Sequence, residues 1–133
     1  MRQGRTSARS VRSCAVDFDL SDDQEALVAA AAALLDSRAT IAAVRKVAYE
    51  PGHMDRALWA EMAQQGWLAV ELAEDAGGLG MGFVEVAVLS EQVGRHLAPV
   101  PFSGTVIARH VVEAAGQAGL AERLSTEIGR AHV

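Results

Sequence analysis

From Phe83 to Leu97 the chain is apolar on two sides at helical spacing. Phe83, Val86, Leu89, Val93 and Leu97 form one stripe, and Val84 and Val88 add a second edge. A helix that is apolar on two sides has to be covered on two sides. This segment therefore predicts a central element with other layers around it. Pro99 and Pro101 end it, because a proline disfavours helix in the residue before it. The surrounding layers should also be helical. Of the 133 residues 26 are alanine, and aromatics make up only 5%. That composition suits close-packed helices and is poor material for a β-sandwich.

The rest of the chain supplies those helices. Ser21 can cap a first one, with Gln24 completing a capping box and Asp22, Asp23 and Glu25 favoured by the dipole of its first turn. Leu20, Leu27, Ala31, Leu34 and Leu35 make its apolar stripe. A second stretch, 39–48, carries Ile41, Val44 and Val47 and stops at the turn signal Pro51-Gly52. A third, about 54–65, presents Leu58, Met62 and the stem of Gln65, with Trp59 and Ala63 beside them. Gly66 can close it in a left-handed conformation, and Trp67–Val70 reads as a short apolar return. Residues 71–82 read as a loop. Ser103 can cap a helix running to about Ala115, with Val106, Ile107, Val111 and Ala114 inward and Arg109 and Glu113 as an exposed pair. Gly116 closes that helix, and another starts near Leu120. The expected fold is an all-α bundle of about five to six helices.

Composition excludes several functions. The net charge of −5 argues against a phosphate-backbone binder, so no nucleic-acid partner is expected. No apolar run approaches the roughly 20 residues that span a bilayer, so no membrane partner is expected either. One cysteine allows no intrachain disulfide, which points to a reducing, cytoplasmic setting. The two ends look foreign to the body. Residues 1–15 hold Arg2, Arg5, Arg9 and Arg12, three serines and no acid, whereas 16–126 carry 7 basic and 16 acidic residues, a balance of −9. The first segment reads as an extension ahead of a native start near Val16, with a transit peptide as the competing reading. Glu127–Val133, back-translated as GAG ATC GGA AGA GCA CAC GTC, matches a common sequencing-adapter read. Residues 127–133 are therefore expected to be non-native, and 16–126 to be the domain.

No complete active site is legible. Gly77, Gly78, Gly80 and Gly82 precede a helix start, but the third glycine of G-x-G-x-x-G would fall at Phe83, and there is no Gly-Lys-Ser/Thr. A flexible connector is the expected role of that loop. His53, His96, His110 and His132 have no metal-ligand partner at helical spacing and read as surface or helix-end residues. Cys14 has no evident activating partner. Glu74 and Asp75 read as solvated loop acids. No catalytic, cofactor-binding or metal-binding residue is assigned.

Four stretches together resemble the N-terminal helical domain of acyl-CoA dehydrogenases. They are Asp17–Gln24, Leu58–Leu68, the acidic Gly-Gly loop Glu74–Gly80, and Glu85–Pro101 with its Leu97-Ala-Pro-Val-Pro101 exit turn. The resemblance covers roughly 16–126. It departs from the family at Leu72-Ala73, where many members have Val-Pro, and at Ala76, where an aromatic or histidine is common. The resemblance implies a larger flavin-dependent enzyme acting on an acyl-CoA thioester, in fatty-acid or sterol side-chain oxidation. In such enzymes a glutamate takes the α-proton while FAD accepts a hydride. Both the base and the FAD site lie downstream of this domain in the family. The resemblance also implies a homo- or hetero-oligomer when full length. This domain would supply one wall of the acyl pocket, for which Phe102, Ser103, Val106 and Ile107 are the candidates. Plain core packing and a helix cap are the competing reading of those four. A self-contained helical interaction module, or a non-catalytic subunit of a heteromeric dehydrogenase, are the alternatives for the whole.

If both ends are non-native, deleting them leaves the fold intact. Side-by-side melts of the full chain and of 16–126 test this. A loss beyond about 1 kcal/mol, the size of a typical point mutation, would mean that an end is packed.

Overall fold

The computed structural model describes residues 19–126. The segments 1–15 and 127–133, with Cys14 and His132, lie outside the described residues. Six α-helices and no strand occur among the described residues: α1 (Asp22–Arg38), α2 (Ile41–Ala48), α3 (Arg56–Gln64), α4 (Phe83–Arg95), α5 (Phe102–Ala114) and α6 (Ala118–Thr126). No single helix among them is long and apolar enough to cross a membrane.

The starts of the first three helices follow from their capping residues. Ser21 and Gln24 exchange side-chain and backbone bonds in a reciprocal box at the start of α1. Thr40 accepts from the Ala43 amide, and Asp55 from that of Leu58, at the starts of α2 and α3. Gly66, at φ +81°, closes α3 and hands the chain to a 3₁₀ turn, Trp67–Ala69, whose residues are all buried. Gly116, at φ +75°, reverses the chain between α5 and α6, which pack as a helical hairpin.

The core gathers Leu35 and Ala31 of α1, Leu58, Trp59 and Met62 of α3, Trp67, Leu68 and Val70, Val86, Leu89 and Val93 of α4, and Phe102 of α5. Helix α4 is central, packing along α1 and touching α5. Its buried residues are Val86, Val88, Leu89, Gln92 and Val93. At about 100° per residue these positions cover one arc of about 160°. The two expected apolar edges are thus one broad face. The ends of the stripe escape it: Phe83 is 67% exposed, Val84 50% and Leu97 71%. Leu97 lies beyond the end of α4 in a left-handed turn, φ +51°, so helical spacing no longer aims it at the core.

Helices α1 and α4 run parallel, joined at both ends. Near their starts, Gln24 Nε2 donates to Glu85 Oε1 at 2.8 Å, and the other oxygen of Glu85 accepts the Gly82 amide at 2.8 Å. Near their ends, His96 Nε2 lies 3.0 Å from Asp36 Oδ1, while His96 Nδ1 bonds the Gln92 carbonyl at 2.8 Å. Arg38 then ties the end of α1 to α3 through Glu61, with its Nε donating at 3.0 Å.

The Gln24 side chain holds the Glu85 carboxyl below its ordinary value, helped by the Glu85 and Gly82 backbone amides. A lowered folded pKa contributes stability that is present above the unfolded value, about 4.3, and is lost as pH falls through the folded one. Glu85→Gln should therefore flatten the acid limb of a stability-against-pH curve. Chemical denaturation at a series of pH values checks this, and an unchanged acid limb would contradict the proposed role of the carboxylate.

Candidate functional site: the outer face of the fifth helix

The N-cap of α5 lies two residues earlier than its sequence suggests. Pro101, at φ −83° and ψ 39°, is the N-cap and has no side-chain cap bond. Its carbonyl accepts from both the amide and the hydroxyl of Thr105, each at 2.9 Å. Ser103 therefore lies inside the first turn and does not cap the helix.

This offset separates the four candidate pocket residues. Phe102 is fully buried, its ring edge-on to Trp67 with centroids 6.3 Å apart. Val106 is half-buried against the core. Ser103 is exposed, and Ile107 is 63% exposed. Phe102 and Val106 thus face inward, while Ser103 and Ile107 share the outer face. Val111, one turn on, is 62% exposed and joins them, and Ala114 is exposed too. The expected inner face of Val106, Ile107, Val111 and Ala114 is therefore wrong for all but Val106.

What turns the helix is Arg109. Expected as half of an exposed pair, it is only 5% exposed. Its Nη2 donates to Glu71 Oε2, and its Nη1 to Glu113 Oε2 at 3.2 Å. The side chains of Arg109 and Glu71 are 6% and 13% exposed. A buried charge is tolerated only when paired and hydrogen-bonded, so Arg109 must face Glu71 and Ile107 is carried outward. His110 sits at the mouth of this cluster. Its Nε2 is 3.0 Å from Glu71 Oε2 and 3.1 Å from Arg109 Nη2. Its ring meets that of Phe83 at 61°, centroids 6.5 Å apart. The outer surface thus combines Phe83 from α4 with Ser103, Ile107, His110 and Val111 from α5.

Glu71, His110 and Phe83 had not been assigned to this surface from sequence. Phe83 alone carried a signal, as the overhanging end of an apolar stripe. Glu71 is 38 positions from Arg109, and no local period links them.

The glycine loop is not an anion cradle. Its amides turn back on their own chain: Gly78 donates to Ala73, Leu79 to Ala69, Gly80 to Leu72 and Met81 to Val70, at 2.8 to 3.1 Å. The Gly82 amide at the start of α4 donates to the Glu85 carboxylate, which occupies the place an anion would take. The expected flexible connector is therefore a bonded loop, and Gly78 fits it closely: a Cβ there would lie 2.1 Å from the Leu72 carbonyl oxygen. Glu74 and Asp75 are exposed, as expected. Among the described residues no group of His, Cys, Asp or Glu is placed to hold a metal.

These features describe a helical module with one packed side, one apolar outer face and no nucleotide cradle in its glycine loop. The chain belongs to the acyl-CoA dehydrogenase family: residues 21–129 match its N-terminal domain. It is 31% identical over 107 residues to the acyl-CoA dehydrogenase IpdE2 of Mycolicibacterium smegmatis, an alignment covering 80% of this chain and 34% of that protein. The IpdE2 of Mycobacterium tuberculosis is 30% identical over 97 residues, covering 72% and 30%. Among solved structures, a variant of the Tcur3481-Tcur3483 steroid ACAD superposes with a TM-score of 0.70 at 34% identity, over 78% of this chain and 30% of that one. The chain thus spans about a third of the length of these relatives.

Removing one partner of the buried pair strands the other charge. Arg109→Met is expected to destabilise by about 3–5 kcal/mol, and Glu71→Met with Arg109→Met by much less. Urea unfolding of the single and double variants measures the difference, and equal losses would contradict a paired burial.

Proposed function

We propose that this chain is the N-terminal domain of a flavin-dependent enzyme that introduces an α,β double bond into an acyl-CoA thioester. Its own part is to form one wall of the acyl pocket. The observation that carries this reading is the outer face of α5. Ser103 and Ile107 lie on it with Val111, and Phe83 extends it from α4. Phe102 and Val106 back the wall from inside, where they fix the pitch of the helix against Trp67 and the core. An apolar wall of this kind holds a hydrocarbon chain and keeps water from it. The steroid ACAD among the similar structures supports an extended or polycyclic acyl group, as in sterol side-chain oxidation.

FAD is the cofactor that the family implies, and when bound it accepts the hydride. Among the described residues, the glycine loop and the start of α4 offer it no cradle. The loop amides bond their own backbone, and the start of α4 is closed by Glu85. The cofactor and the base belong, in this reading, to the part of the enzyme beyond this domain. The two-part designation Tcur3481-Tcur3483 supports an oligomer, homo- or heteromeric. The single cysteine supports a cytoplasmic setting.

The complete enzyme, assayed with acyl-CoA thioesters and an artificial electron acceptor, tests the reading. The 133-residue chain alone is expected to purify without the flavin absorption band, and to associate or melt broadly because Phe83, Val84, Ile107 and Val111 lie bare. A stoichiometrically yellow protein would overturn this division of roles. A sharp melt from a clean monomer would favour a self-contained helical module.

A further inference from the structure

The outer face of α5 carries one ionisable ring, and its two nitrogens are not equivalent. His110 Nε2 is held 3.0 Å from Glu71 Oε2, at a buried cluster completed by Arg109 and Glu113. The His110 side chain is 43% exposed, and Nδ1 has no hydrogen-bond partner among the described residues. The Phe83 ring lies edge-on beside it, centroids 6.5 Å apart. The ring is therefore anchored at one nitrogen and open at the other.

The anchoring also sets the proton. In the neutral ring, the nitrogen that faces a carboxylate carries the hydrogen and the other keeps the lone pair. Arg109 Nη2 also approaches Nε2, at 3.1 Å, but a bare lone pair on Nε2 would face the negative charge of Glu71 Oε2, 3.0 Å away. Nδ1 is then an acceptor fixed on a surface otherwise made of Phe83, Ile107 and Val111. Ligand sites of this type are mostly apolar, with a few polar groups that choose the ligand's orientation.

The geometry points to His110 as a specificity-determining residue of the acyl wall, one whose Nδ1 accepts a hydrogen bond from a hydroxyl on the hydrocarbon part of the thioester. This rests on the acyl-wall reading above and adds the substrate class. A hydroxyl suits the site better than a ketone, because a ketone has no hydrogen to give a neutral Nδ1.

Two measurements decide it. Nitrogen-15 NMR of the labelled 133-residue chain reads the tautomer: the expected neutral form is protonated at Nε2, and a proton on Nδ1 would overturn the inference. In the complete enzyme, kcat/KM is compared for two acyl-CoA thioesters of one carbon skeleton, with and without the hydroxyl. His110→Phe keeps a flat ring beside Phe83 and should cut the preference for the hydroxylated thioester, read as the ratio of the two kcat/KM values, about tenfold, the upper range for one neutral hydrogen bond. His110→Gln, which keeps an acceptor, should recover part of the preference. A preference untouched by His110→Phe, equal losses on both thioesters, or a better response to the ketone analogue would each overturn the role. A wild-type enzyme that dehydrogenates neither thioester removes the acyl-CoA reading and this inference together, whereas turnover of both with unchanged discrimination removes this inference alone.

Discussion

A guanidinium buried between a loop and a helix sets the arrangement of this domain. Arg109 faces inward because Glu71 waits there, and Glu71 directly follows the buried run Trp67–Val70. The pair fixes where the glycine loop leaves the core. The loop then bonds back along residues 69–73, and Met81 donates to Val70, which delivers the chain to Gly82 and the start of α4. There Glu85 reaches both Gly82 and Gln24, so the start of α4 locks onto the start of α1. One desolvated ion pair thus lies at the head of a series of contacts that ends on a helix 61 positions away in sequence from its partner. Its desolvation cost makes a buried pair weak evidence of stability for its own sake. Here its evident effect is geometric: it decides which side of α5 faces out.

That decision was not legible in the sequence. Helix α5 is apolar at 102, 106, 107 and 111, and period alone cannot choose among faces when several are apolar. The sequence-based choice turned Ile107 and Val111 inward and left Arg109 outside. The deciding partner lay 38 residues upstream, in a loop whose acids looked merely solvated. By contrast, the start of α1 was readable because Ser21 and Gln24 set it within three residues, whereas Thr40 and Asp55, which act as locally at α2 and α3, had not been picked out. Gly66 was readable for the same local reason. The central place of α4 was readable too, because the breadth of an apolar arc is a property of the segment itself. Only its ends misled, where the helix stops and the period no longer applies.

The same contrast governs the candidate wall. Ser103 and Ile107 reach the outer face, but Phe102 cannot, since its ring fills the core beside Trp67. Family resemblance pointed to this helix. It took the burial of Arg109 to show which residues of that helix look outward, and the contact of His110 with Phe83 to show that two helices contribute to one surface.

Gly78 has a consequence of another kind. The space where its Cβ would sit lies 2.1 Å from a backbone oxygen, Leu72 O, which cannot swing aside as a side chain could. Gly94 and Gly104 have open space at the same point. In a library of all single replacements the loop would therefore split sharply by position. Every codon change that alters residue 78 adds the offending carbon, whatever its polarity or size, whereas the two helical glycines would accept small residues freely. The intolerance at 78 would look like the mark of a ligand-binding residue. Its origin is the missing atom that lets two stretches of backbone touch.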